Sequence, residues 1–332
     1  MEELILHHYD FSPFSEKIRL IFGIKKLAWR SVEIPSILPK PQLTPLTGGY
    51  RHTPVLQIGA DVYCDTRLIA DELDRRFPER LVLAPATSGV SLAVEAWAER
   101  DLFWPIARYV SGTNAETVDP GLHADRAALR GKDTPTFDRL KAVARSELGR
   151  IQAQLPMIAS MLADGRPYIL SDQIDRADLA VYHGLWFLSA MPIDCSAILE
   201  PYREIRPWMD RIAATGTGKS EGMDAAAAID LAYRSSPIPI RESRPMPDDP
   251  PLGCEVAIRP DDYRTEEVVG DLVLLDRNEL WSGHFGSYQR SVQTEHDTLG
   301  LRLIHAVVRH RLRPHEGGRR HMVLSDSGLR LR

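Results

Sequence analysis

Cysteine is scarce in this 332-residue sequence, which has only three, at positions 64, 195 and 254. Three widely separated cysteines cannot form a disulfide framework and lack the spacing of a zinc site. No run of about 18 apolar residues occurs, so no segment is expected to span a membrane. The first residues are acidic and do not have the basic-then-apolar order of a secretory signal. We therefore expect a cytoplasmic protein with no membrane partner and no metal ion.

Charge is unevenly distributed along the chain, whose net charge is −5. Residues 283–332 contain nine Arg, no Lys and four acidic residues, a net +5, which leaves −10 for the first 282 residues. A basic tail is one way to bind nucleic acid. This tail has no aromatic residue after Tyr288 to interleave with its arginines. Nucleic acid is therefore not expected as a partner.

The most informative stretch is Arg51–Ile58, which is followed closely by Tyr63–Thr66. Pro54 cannot donate to a strand ladder, so it is expected to open a strand, where a cis X–Pro bond is common. Asp65 or Thr66 is a candidate N-cap for a helix over residues 67–77. The free N–H groups and the dipole of such a helix end favour a carboxylate. These features together predict a site for a peptide-like ligand.

The first 78 residues alternate between strand and helix patterns. Ser12 is a natural N-cap, Pro13 a natural first helical residue, and Gly23 a helix terminator. Strands are expected at 3–9, 27–34, 54–58 and 62–63, with helices at 13–23 and 66–77 and an irregular, proline-rich segment at 35–49. This order is that of a thioredoxin-like βαβ–ββα unit.

This unit resembles the N-terminal domain of the glutathione transferases. The resemblance implies that Thr53, which precedes Pro54, pairs through its backbone with the cysteinyl unit of glutathione. It also implies that Asp65 and Thr66 hold the γ-glutamyl end, although the family usually has Glu-Ser there. His52 and Arg51 stand where relatives have polar or basic residues near the cysteinyl or glycyl part, and a solvated loop is the alternative for this pair.

Ser12 is the main catalytic candidate. A hydroxyl at a helix N-terminus can donate to a thiolate, and the helix end lowers a thiol pKa. In serine-type members of the family, a Ser before a Pro at this helix start has that role; the alternative is that Ser12 is only a cap. Because position 12 is not Cys, disulfide exchange through it is excluded. Tyr9 is the second candidate, since another branch of the family uses a Tyr near the end of the first strand. Its register is about one residue off that pattern, and a core position is the alternative.

Beyond a linker at 81–88 the pattern becomes helical. Long helices are expected at 92–110 and 137–163, and residues 111–134 are a loop or a broken helix. Asp175 and Asp178 predict a capping box that starts a buried helix. The resemblance implies that the second, electrophile-binding pocket is lined by residues of both domains: Phe11, Phe14, Trp97, Trp104 and Arg108. A core position is the alternative for the aromatic residues.

Seven prolines between positions 237 and 260 mark a linker, after which short strands are expected at 256–258 and 271–275. Residues 283–332 do not continue that pattern well, so they are expected to be either disordered or of a structure that the sequence leaves open. The predicted fold is thus an α/β thioredoxin-like domain (1–80), an all-α transferase C-terminal domain (88–220) and a small C-terminal appendix (236–332) that is β-rich to about residue 282.

The resemblance implies a homodimer that uses glutathione as co-substrate and adds its sulfur to a small hydrophobic electrophile. Two alternatives stay open. One is another glutathione-dependent reaction, such as dehalogenation, isomerisation or ether cleavage. The other is a non-catalytic binding or scaffold protein in which the appendix contacts a partner. The sequence does not name the electrophile.

Overall fold

The computed structural model describes residues 2–240, 242, 249–260, 267–275, 279–287, 298–306, 313–314 and 320–324. The N-terminal elements are β1 Leu4–His8, α1 Pro13–Ile24, β2 Ala28–Glu33, α2 Thr44–Thr47, β3 Val55–Ile58, β4 Asp61–Cys64 and α3 Thr66–Arg76. Strand β1 pairs in parallel with β2 and antiparallel with β3, which pairs antiparallel with β4. The predicted thioredoxin-like order is confirmed.

A helical domain follows. Its helices are α4 Ser88–Trp97, α5 Phe103–Thr113, α6 Pro120–Ala128, α7 Phe137–Met161, α8 Arg176–Trp186 and α9 Ile205–Ala213. A π-helical stretch, Ala98–Leu102, joins α4 to α5 without a break. Helix α6 lies within residues 111–134, so of the two expectations for that segment the broken helix is right.

Helix α8 is buried along almost its whole length and packs against α1, α4 and α5. The predicted capping box is present: the Asp175 side chain accepts from the backbone of Ala177, and the Asp175 N–H donates to Asp178 Oδ2 at 3.0 Å. Asp178 Oδ1 also accepts from the Ile169 N–H at 2.9 Å and from Trp208 Nε1 at 2.8 Å. One buried carboxylate therefore joins the start of α8, the loop before it and α9.

After α9 the chain returns to the first domain. Strand β5, Lys219–Gly222, pairs in parallel with β2, and α10, Ala225–Arg234, covers the same sheet. Gln57 Nε2 donates to the Ala228 carbonyl at 2.8 Å, which joins α10 to β3. The turn before β5 lies very close to α1: a Cβ atom built on Gly23 would lie 1.8 Å from the Gly216 carbonyl oxygen.

The remaining strands extend the sheet. They are β6 Glu255–Pro260, β7 Val268–Leu275, β8 Glu279–Ser287, β9 Thr298–Ala306, β10 Arg313–Pro314 and β11 Arg320–Leu324. Strands β6 to β9 pair antiparallel in succession, and β9 pairs in parallel with β4, with Asp61 opposite Arg302. The two strands predicted at 256–258 and 271–275 are confirmed.

The expectation that strands stop near residue 282 is wrong, because β8 runs to residue 287 and β9, β10 and β11 follow. Leu299, Leu301 and Leu303 alternate with other residues, which is the period of a strand, and β8 and β4 supply its two pairing partners. The disorder expected for this tail also concerns residues 288–297, 307–312, 315–319 and 325–332, which lie outside the described residues.

Candidate functional site

Three connections that carry predicted site residues lie at one edge of the sheet, where β1 ends, β3 begins and β4 ends. His7 near the end of β1 is opposite Val55 at the start of β3, and Val55 is opposite Cys64 at the end of β4. The loop after β1, the loop before β3 and the turn after β4 therefore leave the sheet on the same side. These three connections carry Ser12, Thr53-Pro54 and Asp65-Thr66, so the topology brings the principal predicted site residues together.

Ser12 lies at the N-terminus of α1 and is almost completely buried. Its Oγ accepts from the Ser15 N–H at 3.2 Å, and its own N–H donates to the Tyr9 carbonyl at 3.2 Å. Pro13 is the first helical residue, as expected. Because Oγ accepts from the helix, its own hydroxyl proton is available for donation to an anion at this helix end.

The Thr53–Pro54 peptide bond is cis, as the sequence predicted. A buried cation supports this loop: Lys40 Nζ donates to the Arg51 carbonyl at 2.8 Å and to Thr53 Oγ1 at 2.9 Å. Sequence reasoning missed Lys40, because it lies in an irregular segment without periodicity. The available signal was that Lys40 is the only charged residue between Glu33 and Arg51.

Asp65 caps α3, and its Oδ1 accepts from the Arg67 N–H at 2.7 Å. Its φ is +86°, a region that a residue with a side chain rarely adopts and that costs about 1–3 kcal/mol. Thr66, the first residue of α3, is buried. Strain of this kind is typical of sites where the backbone is positioned for a ligand, and the free N–H groups of α3 suit a carboxylate.

His52 stacks on Tyr50 with ring centroids 5.2 Å apart. Burial, together with the positive charges of Lys40, Arg51 and Arg126, lowers the pKa of His52 to about 3, so the ring is neutral at physiological pH. Arg51 itself is tied to the helical domain, since its Nη2 lies 2.6 Å from Asp125 Oδ2 at the end of α6. The region beside Thr53 is therefore electropositive.

The predicted pocket residues separate into two groups. Phe14 packs edge-on against Phe103 at 4.9 Å, and Phe103 packs against Trp104 at 5.3 Å. Trp97 and Arg108 are instead tied to α7. Trp97 Nε1 donates to Gln154 Oε1 at 3.1 Å, and Arg108 Nε donates to Glu147 Oε1 at 2.7 Å. The structure thus connects Phe14 to Trp104 through Phe103 and directs the polar atoms of Trp97 and Arg108 to another helix.

Phe11 lies on the other side of Ser12 in the chain and packs against Tyr9, with ring centroids 4.7 Å apart. The Tyr9 hydroxyl accepts from Arg126 Nη2 at 3.4 Å, and the Lys40 ammonium lies 5.8 Å from the centre of the Tyr9 ring. Tyr9 therefore has cationic neighbours of its own, which is compatible with its place as the second catalytic candidate.

A network of charged side chains, four of them buried, joins the two domains. Lys17 Nζ of α1 lies 2.6 Å from Glu95 Oε1 and 2.5 Å from Glu99 Oε1. Arg176 of α8 lies 3.1 Å from Glu95 Oε2 and also pairs with Asp71 of α3. We call these five residues the interdomain network. It fixes α1 and α3, the two helices whose N-termini carry Ser12 and Asp65, to the helical domain.

The two glutamates of this network have opposite pKa shifts. Burial works against the ionisation of Glu95, but the charges of Lys17 and Arg176 outweigh it and lower its pKa to about 2. The cationic partner of Glu99 among the described residues is Lys17. Burial and the nearby negative charges of Glu95 and Asp65 therefore raise the pKa of Glu99 to about 7. No local sequence pattern predicts the interdomain network, because its members lie on α1, α3, α8 and the continuous segment formed by α4 and the π-helical stretch.

Two kinds of feature are absent from the described part of the chain. Among those residues there is no cluster of three or more His, Cys, Asp or Glu that could hold a metal ion. Nor is any helix within the same ranges both long enough and apolar enough to cross a membrane.

Comparisons with known proteins agree with this architecture. The family model of the glutathione S-transferase N-terminal domain matches residues 6–81, and that of the glutathione S-transferase C-terminal domain matches residues 119–215. The crystal structure of a GST-like protein from Pseudomonas syringae is 32% identical to this chain, covers 92% of it and 97% of its own length, and superposes with a TM-score of 0.68. The chain belongs to the glutathione S-transferase family.

More distant structures share the fold alone. A glutathione S-transferase from Rhodospirillum rubrum F11 is 16% identical, covers 73% of this chain and 96% of its own, and has a TM-score of 0.50. A serine-to-cysteine mutant of poplar glutathione transferase F1 is 9% identical, covers 71% of this chain and 100% of its own, and has a TM-score of 0.52. No curated protein sequence matched the chain.

Proposed function

We propose that this protein is a serine-type glutathione transferase that joins the sulfur of glutathione to a small hydrophobic electrophile. The observation that carries the proposal is the position of Ser12 at the N-terminus of α1, at the same sheet edge as Thr53-Pro54 and Asp65-Thr66. The proposal includes a homodimer in the cytoplasm, which rests on the family and on the composition.

Ser12 would act on the thiol of glutathione. Its hydroxyl proton donates to the sulfur, and the free N–H groups of α1 add positive potential, so the thiolate is favoured over the thiol. The thiolate then attacks the electrophile and forms a carbon–sulfur bond, while the leaving group departs with the displaced electron pair. Binding both molecules in one cleft reduces the entropy cost of their encounter.

The remaining residues would hold the tripeptide. The backbone of Thr53 pairs with the cysteinyl unit, and Asp65 with Thr66 holds the γ-glutamyl end, where a carboxylate meets the N-terminus of α3. Lys40, together with neutral His52, lies on the side that would take the glycyl carboxylate. The fit is reasonable because each charged end of glutathione meets a group of complementary charge or a helix N-terminus.

The test uses glutathione binding by calorimetry together with conjugation of methyl 4-chloro-3-nitrobenzoate. Ser12→Ala should lower kcat/KM by about 10²–10³-fold, the usual effect of removing one donor from a developing anion, while the glutathione Kd changes little. Ser15→Ala is the matched control, since the Ser15 hydroxyl is buried on the same helix and has no hydrogen-bond partner among the described atoms.

Each alternative has its own outcome. If Ser12→Ala keeps full activity while Tyr9→Phe loses it, Ser12 is only a cap and the serine-type assignment is wrong. If glutathione binds but no aryl halide is conjugated, the site performs another glutathione-dependent reaction. If no glutathione binds, the chain is a scaffold that retains the fold without the activity.

A further inference from the structure

We propose that the electrophile of this enzyme is an aromatic molecule that carries a carboxylate, and that Arg126 and Arg130 bind that carboxylate. The inference rests on the proposed transferase function and names the chemical class of the second substrate. It comes from two rows of aromatic rings that begin beside Ser12 and end at these two arginines.

The first row begins at Phe11, the residue before Ser12, and continues to Tyr9. Arg126 Nη2 donates to the Tyr9 hydroxyl at 3.4 Å and to the Ser36 carbonyl at 3.1 Å. Its Nη1 lies 2.5 Å from Asp125 Oδ2. Arg126 is thus held in one position by three acceptors, and one of them is the hydroxyl of the last ring of the row.

The second row begins at Phe14, two residues after Ser12, and continues through Phe103 to Trp104. The Arg130 guanidinium carbon lies 5.7 Å from the centre of the Trp104 ring, a distance at which a cation is attracted to the ring face. Arg130 Nη1 also donates to the Arg126 carbonyl at 2.8 Å. The two rows therefore end at neighbouring arginines at the end of α6.

Several cationic side chains lie beside the loop before Pro54 and the end of α6. Lys40 and Arg51 lie on the glutathione side, and Arg126 and Arg130 lie on the side of the aromatic rows. Asp125 is the acidic side chain bonded to Arg51 and Arg126. Burial and then the charges of Lys40, Arg51 and Arg126 lower the pKa of His52, which fits the position of these cations around it. A planar substrate would therefore meet aromatic surfaces near Ser12 and a positive end at α6.

A carboxylate suits this end better than a neutral group of the same shape. Guanidinium groups bind carboxylates through paired, charge-assisted hydrogen bonds, and they are weakly hydrated, so less solvation is lost on binding. The aromatic rows would contribute ring-on-ring packing to either kind of substrate. The distinguishing prediction is a preference between two substrates that differ only in charge.

The test compares 4-chloro-3-nitrobenzoate with its methyl ester. Each kcat/KM is divided by the uncatalysed rate constant of the same compound with glutathione thiolate, because the ester activates the ring more than the carboxylate. We expect a corrected preference for the carboxylate of about tenfold, equivalent to ~1.4 kcal/mol, which decreases as salt is added. Arg130→Gln and Arg126→Gln should each reduce this preference, and the double variant should abolish it.

Arg145→Gln is the matched control, since Arg145 is an exposed arginine on α7; it should keep the preference. Arg130 is exposed, so Arg130→Gln is expected to fold even if Arg126→Gln does not. A corrected preference for the ester in the wild-type protein would overturn the inference. The same holds for a carboxylate preference that survives in Arg130→Gln and in the folded double variant.

Binding measurements separate this inference from the proposed function. Calorimetry with the unreactive pair 4-nitrobenzoate and 4-nitrobenzamide, in the presence of glutathione, reports on the arginines without any reaction. Tighter binding of the benzoate that is lost in Arg130→Gln would support the anion site even if no aryl halide were conjugated. Equal binding of the two compounds would refute it even if conjugation were fast.

Discussion

Glu95 and Glu99 share Lys17, yet the same substitution, Glu to Gln, is expected to change the free energy of unfolding in opposite directions at the two positions. Replacing Glu99 with Gln should stabilise the protein at pH 8, whereas replacing Glu95 with Gln should destabilise it. Both side chains are buried, and both contact the same ammonium group, at 2.5 and 2.6 Å. They differ in their other neighbours, because Glu95 also pairs with Arg176 while Glu99 faces the negative charges of Glu95 and Asp65.

The magnitude follows from linkage. The pKa of Glu99 is raised from 4.5 to about 7, so folding favours its protonated form, and the stability gained from that form is present at low pH. As the pH rises, the unfolded chain ionises first, and about 3 kcal/mol of stability is lost by pH 8. Gln imitates the protonated carboxyl, so Glu99→Gln should stabilise the protein by about 1 kcal/mol at pH 5 and by about 3 kcal/mol at pH 8.

For Glu95 the sign is reversed. Its pKa is lowered from 4.5 to about 2, so its ionised form stabilises the fold above pH 4.5, and that contribution is lost only as the pH falls towards 2. Glu95→Gln should therefore cost about 3 kcal/mol at both pH 5 and pH 8.

The assay is urea unfolding, followed by the fluorescence of the six tryptophans, at pH 5 and pH 8 for the wild type and both variants. Parallel m-values allow the midpoints to be compared directly. If Glu99→Gln is less stable than the wild type at pH 8, or if both variants shift in the same direction, then the other neighbours of the two carboxylates do not distinguish them and the reasoning fails.

The remaining predictions concern a buried hydrogen-bond acceptor, Asp178, and the close approach of two backbone segments at Gly23. Asp178→Ala removes the acceptor for Ile169, Asp175 and Trp208. This substitution should lower the free energy of unfolding by about 3–5 kcal/mol, seen as a lowered Tm. The control Asp172→Ala, at an exposed position, should leave Tm unchanged. Equal Tm values for the two variants would show that the Asp178 hydrogen bonds do not stabilise the fold. Gly23→Ala should lower Tm because its methyl group would overlap the Gly216 carbonyl. Gly149→Ala, at an exposed helical position with open space, should raise stability by about 0.5–1 kcal/mol, and a raised Tm for Gly23→Ala would refute the close approach.

Much of the first domain was predictable because its signals are local. Ser12 and Pro13 start a helix by capping and by a fixed φ, Pro54 opens a strand, and Asp65 caps the next helix. Each of these effects depends on a few neighbouring residues. The family resemblance then placed them at one edge of the sheet, and the pairing of β1, β3 and β4 agrees.

The side chains around the candidate site were less predictable, because their partners are distant in sequence. The spacing of Trp97, Trp104 and Arg108 indicates shared helical faces, but it does not say which neighbour each face meets. The π-helical stretch, Ala98–Leu102, changes the rotation of the helix between Trp97 and Trp104, so spacing for a regular helix misplaces them. Lys40 and Glu99 are identified only through tertiary contacts, to Thr53 and Lys17.

The pairing of β9 with β4 has a consequence for folding on the ribosome. Asp61 pairs with Arg302, about 240 residues later in the chain, so β4, the last strand of the thioredoxin-like unit, can pair with β9 only after those intervening residues have been made. Throughout that interval β4 presents unpaired N–H and C=O groups, which can pair with strands of other nascent chains. The late strand thus closes an edge that the N-terminal domain leaves open while the rest of the protein is made.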